Sequence, residues 1–425
     1  MIREVDILIA GAGPAGCAAA YDLAQAGKHV ILVDKRTFPR HKPCACGLTR
    51  KTLKALRYSV DPVIERVCHE IVLQSATTPG APRPASGTWD STKLPSAKSA
   101  DVRVKTRNPI CAMAVRERFD DFCLQQTLLA ARQGGSIELR KIDRILALRE
   151  LPDFIELDVA TPRGPETLRA PFLIGADGSN GQTRHLVEQH GEAPAHDDGF
   201  ALEATVPYAD LPATLPNGAR PHDLVFDFAP LPGGYGWLFP KADHINIGVG
   251  AFSPTNNLGA PSSAKVGSNT ASLKQVTRAL LLDYAQQKLG VTSLSHITGQ
   301  QLGMGGHTYV PSGRVLLVGD AAGLVDPLTG EGIHSAVVSG QAAAAAILEC
   351  DLSDDPRVAA AYARHLAPLQ KTLTFSHRAA RAFYAQPERG FKAMRLPFMR
   401  SLILKTYADG LPQTGLITAL GKLTT

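Results

Sequence analysis

The residues of this chain best placed to do chemistry form a glycine-rich turn, two later acid-bearing turns, a basic run that ends in cysteine, and an aromatic triplet. Gly11-Ala12-Gly13-Pro14-Ala15-Gly16 has the G-x-G-x-x-G spacing of a dinucleotide-binding turn. Gly11 permits the tight turn, Gly13 lets a pyrophosphate approach the backbone, and Gly16 lets a helix pack closely on a sheet. Pro14 and Ala15 begin that helix, whose N-terminus carries roughly half a unit of positive charge where a phosphate would sit. Asp34, with Lys35 beside it, follows at the distance from which an acid hydrogen-bonds a ribose hydroxyl.

The cysteine is Cys44. A free thiol has a pKa of about 8.5, so only about 3% is thiolate at pH 7 without help from neighbours. Arg40, His41 and Lys42 directly precede Cys44 and would lower that value if their side chains converge on it. The bland alternative is a buried cysteine acting as a small apolar filler. Cys46 is only two residues away, closer than the usual redox C-x-x-C spacing, and zinc would need ligands that are not identifiable. Neither a disulfide nor a metal is expected. Farther on, Tyr235, Trp237 and Phe239 alternate, which on a strand puts all three on one face. Such a wall suits a planar ring or an apolar chain, although it would equally fill a core.

These motifs have meaning only if the right elements hold them. Residues 5–10 form a continuous apolar run, 15–25 an Ala-rich helical stretch, and 28–33 a second apolar run, which predicts a strand, helix, strand crossover. Residues 173–179 read as an apolar strand ending in Gly175-Ala176-Asp177-Gly178. Residues 315–318 read as another, ending in Gly319-Asp320-Ala321-Ala322-Gly323. Residues 201–250 have the alternation and turn residues of an antiparallel sheet. An Ala-rich helix is predicted over 333–349, and the chain from 357 onward reads as mainly helical. Residues 75–100 and 253–272, rich in Pro, Ser, Thr and Ala, read as insertions or long loops, a class of segment that sometimes acts as a lid.

Composition narrows the function classes. With 425 residues, 44% hydrophobic and 20% charged, the chain suits two interlocked globular domains sharing one active site. Its net charge of +6 is dispersed, with no run of five or more Lys/Arg, so no nucleic-acid partner is expected. No apolar stretch reaches the roughly 18 residues that span a bilayer. The opening residues run straight into a strand, leaving no room for a leader peptide, so the seven cysteines are expected to be reduced thiols in a cytoplasmic enzyme. Residues 391–405 mix apolar and basic side chains around Pro397. They read either as a basic amphipathic helix resting on lipid or as a helix packed on the protein's own body.

The 173–179 and 315–323 segments resemble the signatures of the large flavoprotein monooxygenase and reductase superfamily, the p-hydroxybenzoate hydroxylase-like fold, and Arg116, heading Arg116-Glu117-Arg118-Phe119-Asp120, resembles its FAD-contacting arginine. Within it, Pro232-Gly233-Gly234-Tyr235-Gly236-Trp237-Leu238-Phe239-Pro240 followed by Gly248-Val249-Gly250 resembles the P-x-x-Y-x-W-x-F-P…G-x-G pattern of geranylgeranyl reductases. So does Lys42-Pro43-Cys44-Ala45-Cys46-Gly47-Leu48, with Cys46 in place of a glycine, and so does the loop Asp326-Pro327-Leu328-Thr329-Gly330-Glu331-Gly332-Ile333. A second departure is Gly181, where many relatives carry serine before an arginine that is Arg184 here.

The resemblance covers roughly residues 1–345 and implies an α/β fold. A Rossmann-like FAD-binding domain (1–74, 101–200 and 300–350) would interleave with an antiparallel-sheet substrate domain (75–100 and 201–299), followed by C-terminal helices (351–425). It implies that Gly319 and Asp320 hold the FAD ribitol or ribose region, that Asp177 supports the fold around the nucleotide, and that Pro327, Gly330, Gly332 and Ile333 face the flavin. Cys44 is implied to lie near flavin and substrate, and Tyr235, Trp237 and Phe239 to line the substrate pocket. His334 has no assigned role.

The expected reaction is hydride transfer from reduced FAD to a carbon–carbon double bond of a prenyl or other apolar substrate. NAD(P)H would dock transiently as reductant, with Cys44 or a pocket water as proton donor. Peripheral membrane contact would suit a prenyl lipid. The rival reading is a monooxygenase acting on an aromatic or alkene, and a reading from another class is a non-catalytic flavoprotein. The halogenase W-x-W-x-I-P motif is not matched.

Overall fold

The computed structural model describes residues 2–75, 101–131, 134–189, 197–253, 270–394 and 396–410. Both predicted insertions lie, apart from their edges, outside the described residues. The apolar runs of the first crossover become the strands Ile7–Ala10 and His29–Asp34, joined by the helix Pro14–Gln25. They are buried on both faces, which is why they are continuously apolar and not alternating. Three more parallel strands complete a five-stranded sheet in the spatial order Val315–Leu317, Phe172–Gly175, Ile7–Ala10, His29–Asp34, Ser136–Lys141.

A second sheet of seven strands runs Thr298–Met304, Asp197–Pro207, His244–Ser253, Gly234–Pro240, Val225–Asp227, Glu70–Gln74, Val102–Lys105. Its neighbours are antiparallel except Val225–Asp227 with Glu70–Gln74, which are parallel, a crossover that alternation alone does not reveal. The two faces of this sheet are chemically distinct. Leu202, Ala204, Leu238, Ile245, Ile247 and Val249 point into one apolar core beneath the helix Arg278–Leu289. Tyr235, Trp237 and Phe239 point the other way, into a core shared with Phe226, Phe391, Met394 and Leu404.

Two smaller sheets support this pair. Gly47–Thr49, Cys111–Ala114 and Ile64–Cys68 form an antiparallel three-stranded sheet directly after the cysteine loop. Ile2–Glu4, Gly164–Ala170, Ile155–Thr161 and Arg144–Glu150 form the other. The helix Ile333–Glu349 lies against Pro14–Gln25, and at Gly340 the approach is so close that an added Cβ would sit 2.2 Å from the Ala15 carbonyl oxygen. The C-terminal helices are Asp355–Ala385, Pro387–Met394 and Pro397–Asp409. Phe391, Met394 and Leu404 of this region are buried against the protein's own body, while Leu396 is exposed. No helix among the described residues is long and apolar enough to cross a membrane.

Candidate active site

The strand Ile7–Ala10 ends at the glycine turn, and the turn's geometry separates the tasks of its glycines. Gly11 has φ 107°, and an added Cβ would lie 2.4 Å from the carbonyl oxygen of Ala176. At Gly16 it would lie 1.9 Å from the carbonyl oxygen of Gly11, so both positions are closed by the protein's own backbone. At Gly13 the nearest atom is Arg40 Nη2 at 3.6 Å, and the space ahead is open. The helix that follows has no side-chain cap and no acid in its first turn, leaving its positive end available to an anion. Asp34 braces the turn, with Oδ2 accepting from the Ala12 N–H at 2.8 Å and Oδ1 from the Arg36 N–H at 2.7 Å.

This turn opens onto a cavity of about 470 Å³ between the parallel sheet and the aromatic face of the seven-stranded sheet. Gly11, Gly13, Pro14, Ala15, Asp34 and Lys35 line it from one side. Cys44, Arg116, Asp177 and Asp320 reach it from four separate segments, and Gly330, Gly332 and Ile333 form another wall. Tyr235, Trp237 and Phe239 close it on the sheet side. Gly16, Gly319 and Pro327 do not line the cavity. Gly16 packs under the turn, Gly319 takes φ 57° and donates its N–H to Ser339 Oγ at 2.9 Å, and Pro327 is buried within the 326–332 loop.

That loop is pinned from several sides. Asp326 Oδ1 accepts from the N–H groups of Leu328 and Thr329 at 2.9 and 3.0 Å, and its Oδ2 accepts from Ser376 Oγ at 2.8 Å. Tyr235 donates its hydroxyl to the Thr329 carbonyl, and Tyr384 donates to that of Leu328. Glu331 pairs with Lys51 at 3.1 Å and accepts from the His334 N–H at 2.7 Å, which places His334 at the loop's exit. Burial pushes the His334 ring below its ordinary pKa. The helix Ile333–Glu349 starts here; its N-cap residue, Gly332, brings no side chain, and the Glu331 carboxylate takes one of its first N–H groups.

Arg116 is buried, and its Nε donates to Asp120 Oδ1 at 2.6 Å, one helical turn on. Arg40 meets the other Asp120 oxygen at 3.1 Å. Asp120 therefore clamps two cavity-side arginines, a role that its place in the 116–120 motif did not disclose. Asp177 turns inward to the next helix and accepts from the Thr183 N–H at 3.0 Å as well as from the Thr183 hydroxyl. In this pose a Cβ at Gly181 would meet Asp177 Oδ1 at 2.1 Å, so the glycine that departs from the family pattern is the residue this conformation requires. Arg184 is buried and donates to the Ala321 carbonyl at 3.1 Å, tying the two acid-bearing turns together.

At Cys44 the expected source of activation shifts. The Cys46 thiol hydrogen-bonds the Cys44 sulfur, and this, with the charges of Arg116 and Lys42, holds the Cys44 thiol well below its ordinary pKa against the opposing pull of burial. The Cys46 N–H also points at Cys44 Sγ, at 3.3 Å. Of the basic run, Lys42 contributes, whereas Arg40 is engaged by Asp120. Cys46 is pushed the other way, chiefly by the same hydrogen bond and then by burial.

The aromatic strand and the G-x-G pair form one device. Trp237 is paired across the sheet with Gly248, where an added Cβ would fall 2.0 Å from Trp237 Cζ2. The indole therefore lies flat over the neighbouring strand because that position is glycine. Its Nε1 donates to Asn246 Oδ1 at 2.7 Å. Two buried charged residues of this region, Glu203 and Lys241, went unnoticed in the sequence. The only signal was a Glu and a Lys within or beside otherwise apolar strands. Glu203 Oε1 accepts from the Cys44 N–H at 2.8 Å, and Lys241 Nζ donates to the carbonyls of Ala45 and Cys46.

These features fit FAD: an open approach at Gly13, the uncapped start of Pro14–Gln25 on the cavity, and an aromatic wall opposite it. The FAD binding domain family matches residues 4–350 of the chain. A digeranylgeranylglycerophospholipid reductase of Methanosphaera stadtmanae is 26% identical over 83% of this chain and 81% of its own length. A menaquinone reductase of Mycolicibacterium smegmatis is 28% identical over 81% of this chain and 76% of its own. The crystal structure of a geranylgeranyl bacteriochlorophyll reductase-like protein from Thermoplasma acidophilum superimposes with a TM-score of 0.67 over the whole of both chains at 20% identity, a likeness of fold. The chain belongs to the FAD binding domain family and is an FAD-dependent oxidoreductase, and its motifs resemble those of the geranylgeranyl reductases.

Proposed function

We propose that this enzyme reduces carbon–carbon double bonds in a prenyl chain carried by a lipid or quinone. The observation that carries this reading is the placement of Tyr235, Trp237 and Phe239, with the glycines that let the indole lie flat, on the same cavity as the glycine turn and Cys44. FAD, once bound and reduced, supplies hydride. The chain's own residues do the rest. Gly13 and the uncapped start of Pro14–Gln25 would hold the pyrophosphate, with Asp34, Arg116 and Asp320 around it. The aromatic wall orients an apolar chain and excludes water. The proton that the second carbon needs would come from a pocket water beside Cys44, whose sulfur reaches the same cavity and is held toward the thiolate.

The reductant in this reading is NAD(P)H, docking transiently, since no second dinucleotide turn is legible in the sequence. The names of the relatives above support reduction of a prenyl-bearing molecule, and their spread from phospholipid to quinone leaves the head group to experiment. The apolar side chains of 391–405 that are described as buried face the protein's own core, so membrane contact in this proposal falls to exposed Leu396 and its basic neighbours.

Oxygen dependence tests the reading against a monooxygenase. The purified enzyme, given NADPH and a prenyl substrate under argon, is expected to consume NADPH in step with substrate. Consumption that requires oxygen and yields a hydroxylated product would overturn it.

A further inference from the structure

Cys46 stands where the family motif has glycine, on a left-handed backbone, φ 47°, that glycine would adopt without strain. What a side chain gains there is contact with a second thiol. The Cys46 N–H meets Cys44 Sγ at 3.3 Å, and the Cys46 thiol hydrogen-bonds the same sulfur. Spacing of two residues speaks against a redox pair in an extended chain, and the turn at Cys46 removes that objection. The loop is also held on both sides of the contact. Cys44 donates its N–H to Glu203 Oε1 at 2.8 Å, the Cys46 carbonyl accepts from the Ala114 N–H at 3.1 Å, and Lys241 Nζ donates to the carbonyls of Ala45 and Cys46.

The two sulfurs differ in access. Both residues line the cavity, Cys44 half-buried and Cys46 only 1% exposed, so a small oxidant entering the cavity reaches Cys44 with Cys46 in contact behind it. Cys68 and Cys111 make the comparison within the same molecule. They face each other across neighbouring strands and share a thiol hydrogen bond, but both are buried and neither lines the cavity. That pair has contact without access.

We propose that Cys44 and Cys46 form a thiol-oxidation site for hydrogen peroxide, in which Cys44 attacks the peroxide and Cys46 resolves the product into a disulfide between them. The Cys44 thiolate sulfur attacks one peroxide oxygen, the O–O bond breaks and hydroxide leaves, so that Cys44 becomes a sulfenic acid. The Cys46 sulfur then attacks Cys44 Sγ, the S–O bond breaks, and the Cys46 proton leaves with the hydroxyl as water. The two thiols lose two electrons and the peroxide gains them. A small dithiol restores both thiols by exchange at the disulfide. The attacking thiolate is favoured by the Cys46 hydrogen bond and, against burial, by the charges of Arg116 and Lys42. Reduced flavins release hydrogen peroxide when they meet oxygen, so a flavin-binding cavity is where such a site meets its oxidant.

The test needs no substrate. The FAD-loaded enzyme, free of reductant, is treated with hydrogen peroxide, unfolded in iodoacetamide and mapped by mass spectrometry. The wild-type peptide bearing Cys44 and Cys46 is expected to be two hydrogen atoms lighter, to take up no carbamidomethyl group, and to take up two after dithiothreitol. In Cys46→Gly, Cys44 is expected to stop at a sulfenic acid that dimedone traps, and then to pass to sulfinic acid, which dithiothreitol does not recover. Cys46→Ser serves if the Gly variant does not fold. In Cys44→Ser, oxidation of Cys46 is expected to be slower by at least about tenfold, because the accessible thiolate is gone.

A wild-type peptide in which both cysteines still alkylate in full after peroxide would overturn the proposal. So would Cys44 sulfinic acid beside a Cys46 that still alkylates, since Cys46 would then not be the resolving thiol. A disulfide found only between Cys68 and Cys111 would overturn it as well, because access from the cavity would then not select the pair. None of these readouts uses alkene turnover, so an enzyme that reduces no alkene yet forms the Cys44–Cys46 disulfide would sink the reductase reading and leave the thiol pair standing.

Discussion

Cys46 adopts a left-handed backbone, φ 47°, at a position where the family motif has glycine. A side chain there costs on the order of 1 kcal/mol, and here that side chain provides the main hydrogen bond stabilising the Cys44 thiolate. Replacing Cys46 with Gly is therefore expected to leave the loop folded, relieve the strain, and raise the pH at which Cys44 becomes alkylatable. The midpoint moves up because the group stabilising the charged form has been removed. A profile that stays put would mean that Arg116 and Lys42 alone set the thiol. At this scale the sequence disclosed residues whose partners are near in the chain or whose type is rare. Cys44 and the glycines stood out in this way, while Glu203 did not, because its bond to Cys44 joins positions 159 residues apart.

The glycine turn makes an element of what the sequence shows as spacing. Gly16 is closed by the Gly11 carbonyl, whereas Gly13 faces open space. Gly16→Ala should destabilise the FAD-free protein itself, by about 1–3 kcal/mol, through a forced shift of helix against turn. Gly13→Ala should fold as stably as wild type without FAD but bind FAD at least tenfold more weakly, about 1.4 kcal/mol. Urea melts of the apoproteins and FAD titrations separate the two, and equal effects of both substitutions on apoprotein stability would contradict the assignment. The G-x-G at 248–250 is similar in kind. Its spacing was legible, but its reason, the Trp237 indole lying across Gly248, is a cross-strand contact that only register reveals. The parallel pairing of Val225–Asp227 with Glu70–Gln74 was hidden for the same cause.

Over the whole molecule, Arg314 shows how the parts are joined away from the cavity. It is fully buried, and its guanidinium donates to the carbonyls of Pro152, Pro171, Leu352 and Ser353, stitching the four-stranded sheet, the parallel sheet and the start of the C-terminal helices. Arg314→Met would strand those carbonyls and is expected to cost on the order of 3 kcal/mol of stability. Activity per folded molecule should be unchanged, as chemical denaturation beside initial rates would show. A loss of activity without a loss of stability would mean that the residue couples to the site. The parallel crossover and the antiparallel stretch 201–250 were legible from period and turn residues, whereas their joining in one fold was read from the family resemblance. The identity of the substrate did not, since it depends on how distant segments close one cavity.

The central claim is that this cavity passes hydride to an alkene. Its most direct test is to reduce the FAD-loaded enzyme under argon, add a geranylgeranyl-bearing lipid or quinone, and follow flavin absorbance and product mass together. Return of the oxidised flavin spectrum, with product carrying two more hydrogen atoms for each enzyme reoxidised, is the expected result. A flavin that stays reduced until air is admitted, with the prenyl chain unchanged or oxygenated, would contradict it.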